Sequence, residues 1–126
     1  MTTKDGTDRG SRDSANCVRL RGKVSTAPEE RELPSGTMIV TLRLSVPREP
    51  SPMGEGSRVT ADWVDCTAWG RQARRTAMRW RSGDVVEVEG ALRRRFYRGG
   101  LGTSTRLEVE LLAGRIVARA PVRETA

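Results

Sequence analysis

Five segments of this chain alternate apolar and polar side chains with a period of two, and this pattern constrains the fold more than any other feature. In Met38–Val46, for example, Val40, Leu42 and Leu44 share one face, while Arg43 lies on the other. Successive side chains of a β-strand point to opposite faces, so such a segment is predicted to be a half-buried strand. The other four segments are Cys17–Val24, Arg58–Trp69, Val85–Tyr97 and Arg106–Val117.

One segment, Arg71–Arg81, departs from this period and has helical spacing instead. Gly83 follows it as a stop signal. The order of three strands, one short helix and two strands is typical of the five-stranded Greek-key barrel of the OB type. We therefore predict an all-β protein with an OB-fold barrel and a helix between strands three and four. The residues on the apolar stripe of the helix, expected to pack in the core, are Ala73, Thr76, Ala77 and Trp80.

The same patterns set the expected boundaries and faces. Residues 1–15 are polar and charged and are predicted to be a disordered arm, 16–117 to be the barrel domain, and 118–126 to be a short tail. Gly22 and Gly90 fall inside strands, where we expect sharp bends. The residues predicted to face inward on the last two strands are Val86, Val88, Leu92, Phe96, Leu107, Val109 and Leu111.

Composition excludes several function classes. The 126 residues carry a net charge of +7, which favours polyanionic partners such as nucleic acid. Histidine is absent, and two cysteines alone cannot form a zinc site, so we expect no catalytic residues, no metal and no cofactor. The sequence shows neither a membrane-length apolar run nor a signal peptide, so we expect a soluble, cytoplasmic protein without membrane contact.

Aromatic residues on a polar strand face give the strongest functional signal. Trp63 and Trp69 share a face with Asp65 and Thr67, about 20 Å apart at roughly 3.3 Å per residue. Such rings can stack on the bases of single-stranded nucleic acid, although a subunit interface would also favour aromatics. On the outward faces of neighbouring strands, basic side chains suited to phosphates accompany an aromatic ring; these residues are Arg43, Arg93, Arg95 and Tyr97. Arg98 continues the basic run directly after Tyr97.

At these residues the chain resembles the bacterial single-stranded-DNA-binding protein family, from about Asn16 to Val117. The opening NCVRLRGKV is similar to the first strand of that family, and TLRLSVPRE is similar to its second. The longest similar block is WVDCTAWGRQARRTAMRWRSGDVVEVEGALRRRFY, which matches strand three, the helix and strand four. Together these pieces form a fairly specific signal.

The resemblance implies an OB barrel that binds single-stranded DNA in replication, recombination or repair, at the nucleoid, as a homotetramer or dimer. It also implies that Trp63, Trp69 and Tyr97 stack on bases. Arg71, Arg93 and Arg95 match basic positions near the bound strand. Together with Arg43 and Arg98, these are the predicted DNA-binding residues.

Four departures from the family pattern point to an accessory paralogue. Pro50 stands near the place of a family tryptophan, and Arg19 and Arg21 replace apolar residues of a dimer-forming strand, which leaves the dimer geometry open. The chain ends ARAPVRETA rather than in an acidic tip, so recruitment of replication enzymes through such a tip is not expected. The N-terminal arm is an addition.

The sequence leaves open two alternative functions and the oxidation state of one cysteine, Cys17. The domain could be an OB-fold interaction module of a primosome-like assembly, or an RNA-binding OB protein. Cys66 has core parity and is expected to be inert. Cys17 begins strand one on its outer face, and we expect a free thiol there rather than a disulfide with a second copy.

Overall fold

A closed five-stranded barrel with one helix forms the fold. The computed structural model describes residues 14–99 and 102–121. Its strands close in the order one, two, three, five, four, which confirms the predicted OB-type barrel. The elements are β1 (Val18–Glu32), β2 (Met38–Pro47), a 3-10 turn (Pro52–Gly54), β3 (Ala61–Ala68), α1 (Arg71–Met78), β4 (Val85–Gly99) and β5 (Gly102–Ala118).

The strand pairing explains how the barrel closes. β1 pairs with β2 on one side and with β4 on the other, and β2 pairs with β3, all antiparallel. The parallel pair joins β3 to β5, with Cys66 opposite Val109 and Ala68 opposite Leu111. Gly90 coincides with a register shift between β4 and β5, which is the irregularity expected of a glycine at a barrel bend.

The core follows the period of two within the barrel. One face of each strand is buried, as the alternation predicts, and each fully buried Val or Leu side chain contributes about 1.5–3 kcal/mol. The buried apolar residues of the strands include Val24, Val40, Leu42, Leu44, Cys66, Ala68, Val86, Val88, Val109 and Leu111.

Helix α1 joins this core through one side only. Ala73 and Ala77 of α1 and Trp80 just after it are buried, as the helical stripe and the predicted core position of Trp80 require, whereas Thr76 is only half-buried. The Trp80 ring also explains Gly114, because a Cβ atom at position 114 would lie 2.7 Å from its Cη2 atom. No helix in the described part of the chain is long and apolar enough to cross a membrane.

The expected inward packing of β4 and β5 is wrong at their far ends. Leu92, Phe96 and Leu107 are exposed by 46%, 68% and 52%. Described pairing of β1 with β4 extends no further than Gly90, whereas β4 and β5 pair with each other as far as Gly99 and Gly102. On β5 the pairing with β3 ends at Val109, opposite Leu92. Beyond Leu92 and Val109 the two strands therefore form a hairpin outside the barrel, and no core lies under its apolar side.

Other boundaries also differ from the expectation. β1 extends to Glu32 rather than Val24, because its second half continues to pair with β2, as far as Glu32 opposite Met38. β3 begins at Ala61 and ends before Trp69, and α1 ends at Met78. The strand ends are thus set by which strands lie side by side, and the sequence period does not reveal that.

Both ends of the described chain are tied to the barrel. The Asn16 side chain forms two hydrogen bonds with the backbone of Leu92. Near the other end, the buried carboxylate of Asp84 accepts hydrogen bonds from the Ala120 and Arg81 amides and from Arg119. The predicted tail therefore starts with residues that contact the barrel. Residues 1–13 of the predicted arm and 122–126 of the tail lie outside the described residues.

Candidate nucleic-acid interface

The candidate interface is the outer surface of β2, β3, β5 and the hairpin part of β4, here called the strand face. Register places Trp63 beside Ser45 on β2, and Arg43 beside Asp65 on β3. On the other side of the strand face, Arg95 of β4 lies opposite Arg106 of β5. The outward alternation of these strands brings most of the predicted binding residues to one surface.

Trp63 is the most exposed aromatic ring of the strand face. Its exposed fraction is 71%, and the Arg43 guanidinium lies 5.4 Å from the ring centroid. Arg43 is held there because its Nε donates to Asp65 Oδ1 over 2.8 Å. An open indole beside a fixed cation is a surface on which a flat aromatic ligand can stack.

Trp69 and Tyr97 form a second aromatic cluster, linked by Arg95. The Arg95 guanidinium carbon lies 5.3 Å from the Trp69 ring centroid and 4.7 Å from that of Tyr97. Arg106 lies 5.0 Å from the Tyr97 ring as well. Trp69 follows the last residue of β3, so the two tryptophans stand at opposite ends of that strand.

Glu108 organises this cluster from below. Its carboxylate accepts the Thr67 hydroxyl at 2.8 Å and the Tyr97 hydroxyl at 3.0 Å, and Thr67 in turn accepts the Trp69 indole N–H at 3.1 Å. The Arg95 Nε atom is 2.7 Å from Glu108 in an ion pair that lacks hydrogen-bond alignment. Burial, and then the hydrogen bond to Glu108, raise the pKa of Tyr97.

Sequence reasoning missed Glu108, although a signal was present. Since Leu107, Val109 and Leu111 were assigned inward, Glu108 and Glu110 had outward parity beside the arginines of β4. The structure buries Glu108 to 3% exposure and makes it the common partner of the aromatic cluster.

Three of the predicted DNA-binding arginines on the strands are each paired with a carboxylate. Arg93 donates to Glu110 at 2.9 Å, just as Arg43 pairs with Asp65 and Arg95 with Glu108. The positive charge of these three arginines is therefore balanced within the strand face. A guanidinium has five N–H donors, so a paired arginine still has donors for a further anion.

A groove runs beside this surface. It has a volume of about 500 Å³ and lies between the β1–β2 hairpin and the β4–β5 hairpin. Arg31 of β1 lines one side, and Tyr97 and Arg106 line the other. Loops and hairpins in these positions border the ligand-binding face of OB folds.

The structure brings one predicted residue, Arg71, to a different element, and it does not describe the side chain of another, Arg98. Arg71 is exposed at the first position of α1, two residues after Trp69. Arg98 is described only by its backbone, at the end of β4. Among the described residues no group of three or more Cys, Asp or Glu side chains is arranged to hold a metal ion.

Comparison with known proteins identifies relatives of this architecture. Residues 15–119 match the model of the Single-strand binding protein family. Single-stranded DNA-binding protein 3 of Listeria innocua is 33% identical over 69% of this chain and 53% of its own length. Single-stranded DNA-binding protein B of Bacillus subtilis is 30% identical over 80% of this chain and 87% of its own length.

Solved structures show the same fold at lower identity. A Plasmodium falciparum SSB in complex with ssDNA has a TM-score of 0.65 at 20% identity, covering 84% of this chain and 96% of that one. The mitochondrial single-stranded DNA binding protein Rim1 of S. cerevisiae has a TM-score of 0.63 at 12% identity, with coverage of 84% and 97%. The chain spans about half the length of several curated relatives. Since the family model covers residues 15–119, this chain belongs to the single-strand binding protein family.

Proposed function

We propose that this protein binds single-stranded DNA without sequence specificity and without chemical change to it. The observation that carries the proposal is Trp63, exposed by 71% on the strand face with the cation of Arg43 beside it. Family membership and relatives named for single-stranded DNA binding support the same ligand. Such a protein would act at the nucleoid, in replication, recombination or repair.

Base stacking supplies the sequence-independent part of the affinity. Every base offers a π-face, and an aromatic platform contributes about 1–3 kcal/mol per base. Trp63 is open to a base as it stands. At Trp69 and Tyr97 the guanidinium of Arg95 already occupies part of the ring surface, so a base there would displace it or add to the stack.

Phosphate contacts supply the remainder. Arg43, Arg93 and Arg95 can each donate to a phosphate while keeping or exchanging a carboxylate partner. Exchange of carboxylate for phosphate lowers the electrostatic gain from each contact. The strand face therefore depends on stacking more than an unpaired arginine surface would.

Titration of dT oligomers tests the proposal, with tryptophan fluorescence as the signal. The tryptophan fluorescence of folded wild-type protein should be quenched when dT is added at low salt. Trp63→Ala should weaken binding by roughly 5- to 150-fold, the equivalent of about 1–3 kcal/mol. Leu112→Ala is the control, since it removes a large exposed apolar side chain from β5, outside both the strand face and the apolar side of the β4–β5 hairpin. Absence of quenching, or equal losses in both variants, would contradict stacking on the strand face.

The alternatives give different results in the same experiments. If the strand face is a protein interface, Trp63→Ala and Trp69→Ala will change the oligomeric state and leave the affinity for dT unchanged. If RNA is the ligand, an RNA oligomer of equal length will displace dT at lower concentration than DNA does.

We also propose that the protein acts as a homo-oligomer. Leu92, Phe96 and Leu107 leave an apolar side of the β4–β5 hairpin uncovered within the single chain. The β1–β4–β5 surface carries ion pairs instead, among them Arg19–Glu89 at 2.6 Å and Arg21–Glu87 at 3.2 Å. Solution mass with and without dT oligomers tests this, and a monomer under both conditions would contradict it.

A further inference from the structure

Helix α1 and the turn after it carry five arginines and no acidic residue in the segment RQARRTAMRWR. None of the five forms an ion pair with a carboxylate of the described residues. This contrasts with the strand face, where three of the predicted DNA-binding arginines are each paired with an acid. Within the part of the chain that the structure describes, this segment is therefore a cluster of five arginines without an acidic partner.

The stability of the helix explains this charge only in part, since Arg75 lies in the last turn, where the helix dipole favours a cation. Arg71 and Arg74 lie in the first turn, next to the positive end of the helix dipole, and the first turn contains no acidic residue. Arg71 and Arg75 are four residues apart, as are Arg75 and Arg79, and like charges at this spacing repel. A segment that accumulates repulsion without a compensating partner is suited to an external anion.

Three of these arginines form a line on the exposed side of α1. Arg71, Arg75 and Arg79 recur every four residues and are exposed, while Ala73 and Ala77 face the core. At 1.5 Å rise per residue, successive members stand roughly 6 Å apart along the helix axis. That spacing is comparable to the separation of successive phosphates along an extended strand. They border a depression lined by Glu30, Arg71, Arg74, Arg75, Met78 and Arg79, in which Glu30 is the one acidic residue.

This line continues from the end of the strand face. Trp69 and Gly70 lead directly into Arg71, and the Nε atom of Arg74 donates to the Trp69 carbonyl over 3.2 Å. The first turn of α1 is thus fixed against the residue that carries the second aromatic cluster. A DNA strand that leaves Trp69 in this direction meets the arginines of α1 next.

We propose that Arg71, Arg75 and Arg79 form a phosphate-binding track that extends the single-stranded DNA path from the strand face across α1. This inference rests on the proposed function. The strand face then contributes to affinity mainly by stacking bases, and the helix contributes mainly by neutralising the charge of the DNA backbone. A dT oligomer long enough to cover only the strand face does not contact the track, whereas a longer dT oligomer does.

The track is tested by measuring the affinity of the double variant Arg75→Gln/Arg79→Gln, the helix variant, for dT oligomers of two lengths. The control is Lys23→Gln/Arg115→Gln, which removes the same charge from the β1–β4–β5 surface. For dT of about 8 nucleotides, within the range for one OB fold, affinity should be unchanged in both variants. For dT of about 24 nucleotides, the helix variant should lose affinity several-fold, and the slope of log K against log salt should become shallower by about 1.4.

The outcomes separate this inference from the proposed function. If wild-type protein binds the short oligomer but the helix variant matches wild type on the long one, the track is wrong and the strand face stands. In that case an acidic protein becomes the expected ligand of α1. If wild-type protein binds neither oligomer, both proposals fail. Equal losses in the helix variant and the control variant indicate a general charge effect and also overturn the track.

Discussion

Thr67 and Glu108 meet across the parallel pair of β3 and β5, where the Thr67 hydroxyl donates to the Glu108 carboxylate over 2.8 Å. Both residues are 3% exposed although they belong to the outer side of the barrel. They are covered by the aromatic cluster that they hold in place. The orientation of Trp69 and Tyr97 thus depends on a buried acid beneath a surface expected to bind an anion.

Replacing Glu108 tests this dependence. Glu108→Gln should lower the free energy of unfolding by about 1–3 kcal/mol, because hydrogen bonds from Thr67 and Tyr97 lose a charged acceptor and Arg95 loses its partner. Urea unfolding measures the change. Glu110→Gln is the control two residues along β5, and its exposed pair with Arg93 should contribute less than about 1 kcal/mol. Equal losses in the two variants would rule out a special role for Glu108.

Removing an acid from the strand face should strengthen DNA binding. Asp65→Asn takes the carboxylate partner from Arg43, whose guanidinium then meets a phosphate without competition. We expect a several-fold gain in affinity for dT oligomers and a salt slope steeper by about 0.7, the value for one added phosphate contact. Fluorescence titration at several salt concentrations measures both. A loss of affinity would mean that Asp65 is needed to position Arg43 beside Trp63.

The buried carboxylate of Asp84 should make stability depend on acid. Burial alone would raise its pKa, but hydrogen bonds from the Ala120 and Arg81 amides, together with Arg119, lower it overall. A carboxyl group with a lowered folded-state pKa stabilises the protein above its unfolded-state pKa, near 3.9, and loses that contribution as pH falls through the folded-state value.

Asp84→Asn should therefore destabilise the protein at pH 7 and flatten the decline of stability in acid. Urea unfolding between neutral pH and about pH 3 measures this. Asp62→Asn, at an exposed residue paired with Arg48, is the control and should change neither. An Asp84→Asn variant with the wild-type pH profile would contradict the assignment.

The two cysteines should differ strongly in reactivity. Burial raises the pKa of the Cys66 thiol to about 12, so it stays protonated at neutral pH, whereas Cys17 is exposed. An alkylating reagent at pH 7.5 should modify one thiol in the folded protein and two after unfolding. Cys17→Ser should abolish the reaction of the folded protein. Modification of Cys66 without denaturant would show that the barrel opens there.

The sequence predicts the barrel well because the alternation of apolar and polar residues within each strand shows which of its faces is buried. Alternation within Met38–Val46 places Leu42 inward and Arg43 outward, and the structure agrees. The same rule is wrong at Phe96. Its position in the alternation places it on the apolar side of β4, but no other strand or helix of the described chain covers that side. A period of two identifies two faces, and only the pairing of distant strands decides whether either face is covered.

The candidate site was predicted in part for the same reason. Parity alone groups Trp63 with the outer residues of β3, and Tyr97 with Arg95 on β4. It cannot reveal that Arg95 contacts Trp69, or that Glu108 lies beneath the two aromatic rings, because those contacts join separate segments of the chain. The unpaired arginines of α1 gain their meaning only once the acids of the strand face are seen to be engaged.

The two-stranded extension of β4 and β5 beyond Leu92 and Val109 has a consequence for the kinetics of local opening. Within the barrel each of these strands has a neighbour on both sides, whereas in the extension each has only the other. Separating the extension breaks one ladder of hydrogen bonds and exposes little buried apolar surface. Amide protons of residues 93–97 should therefore exchange with solvent much sooner than those of residues 86–89, so that one continuous strand shows two protection regimes.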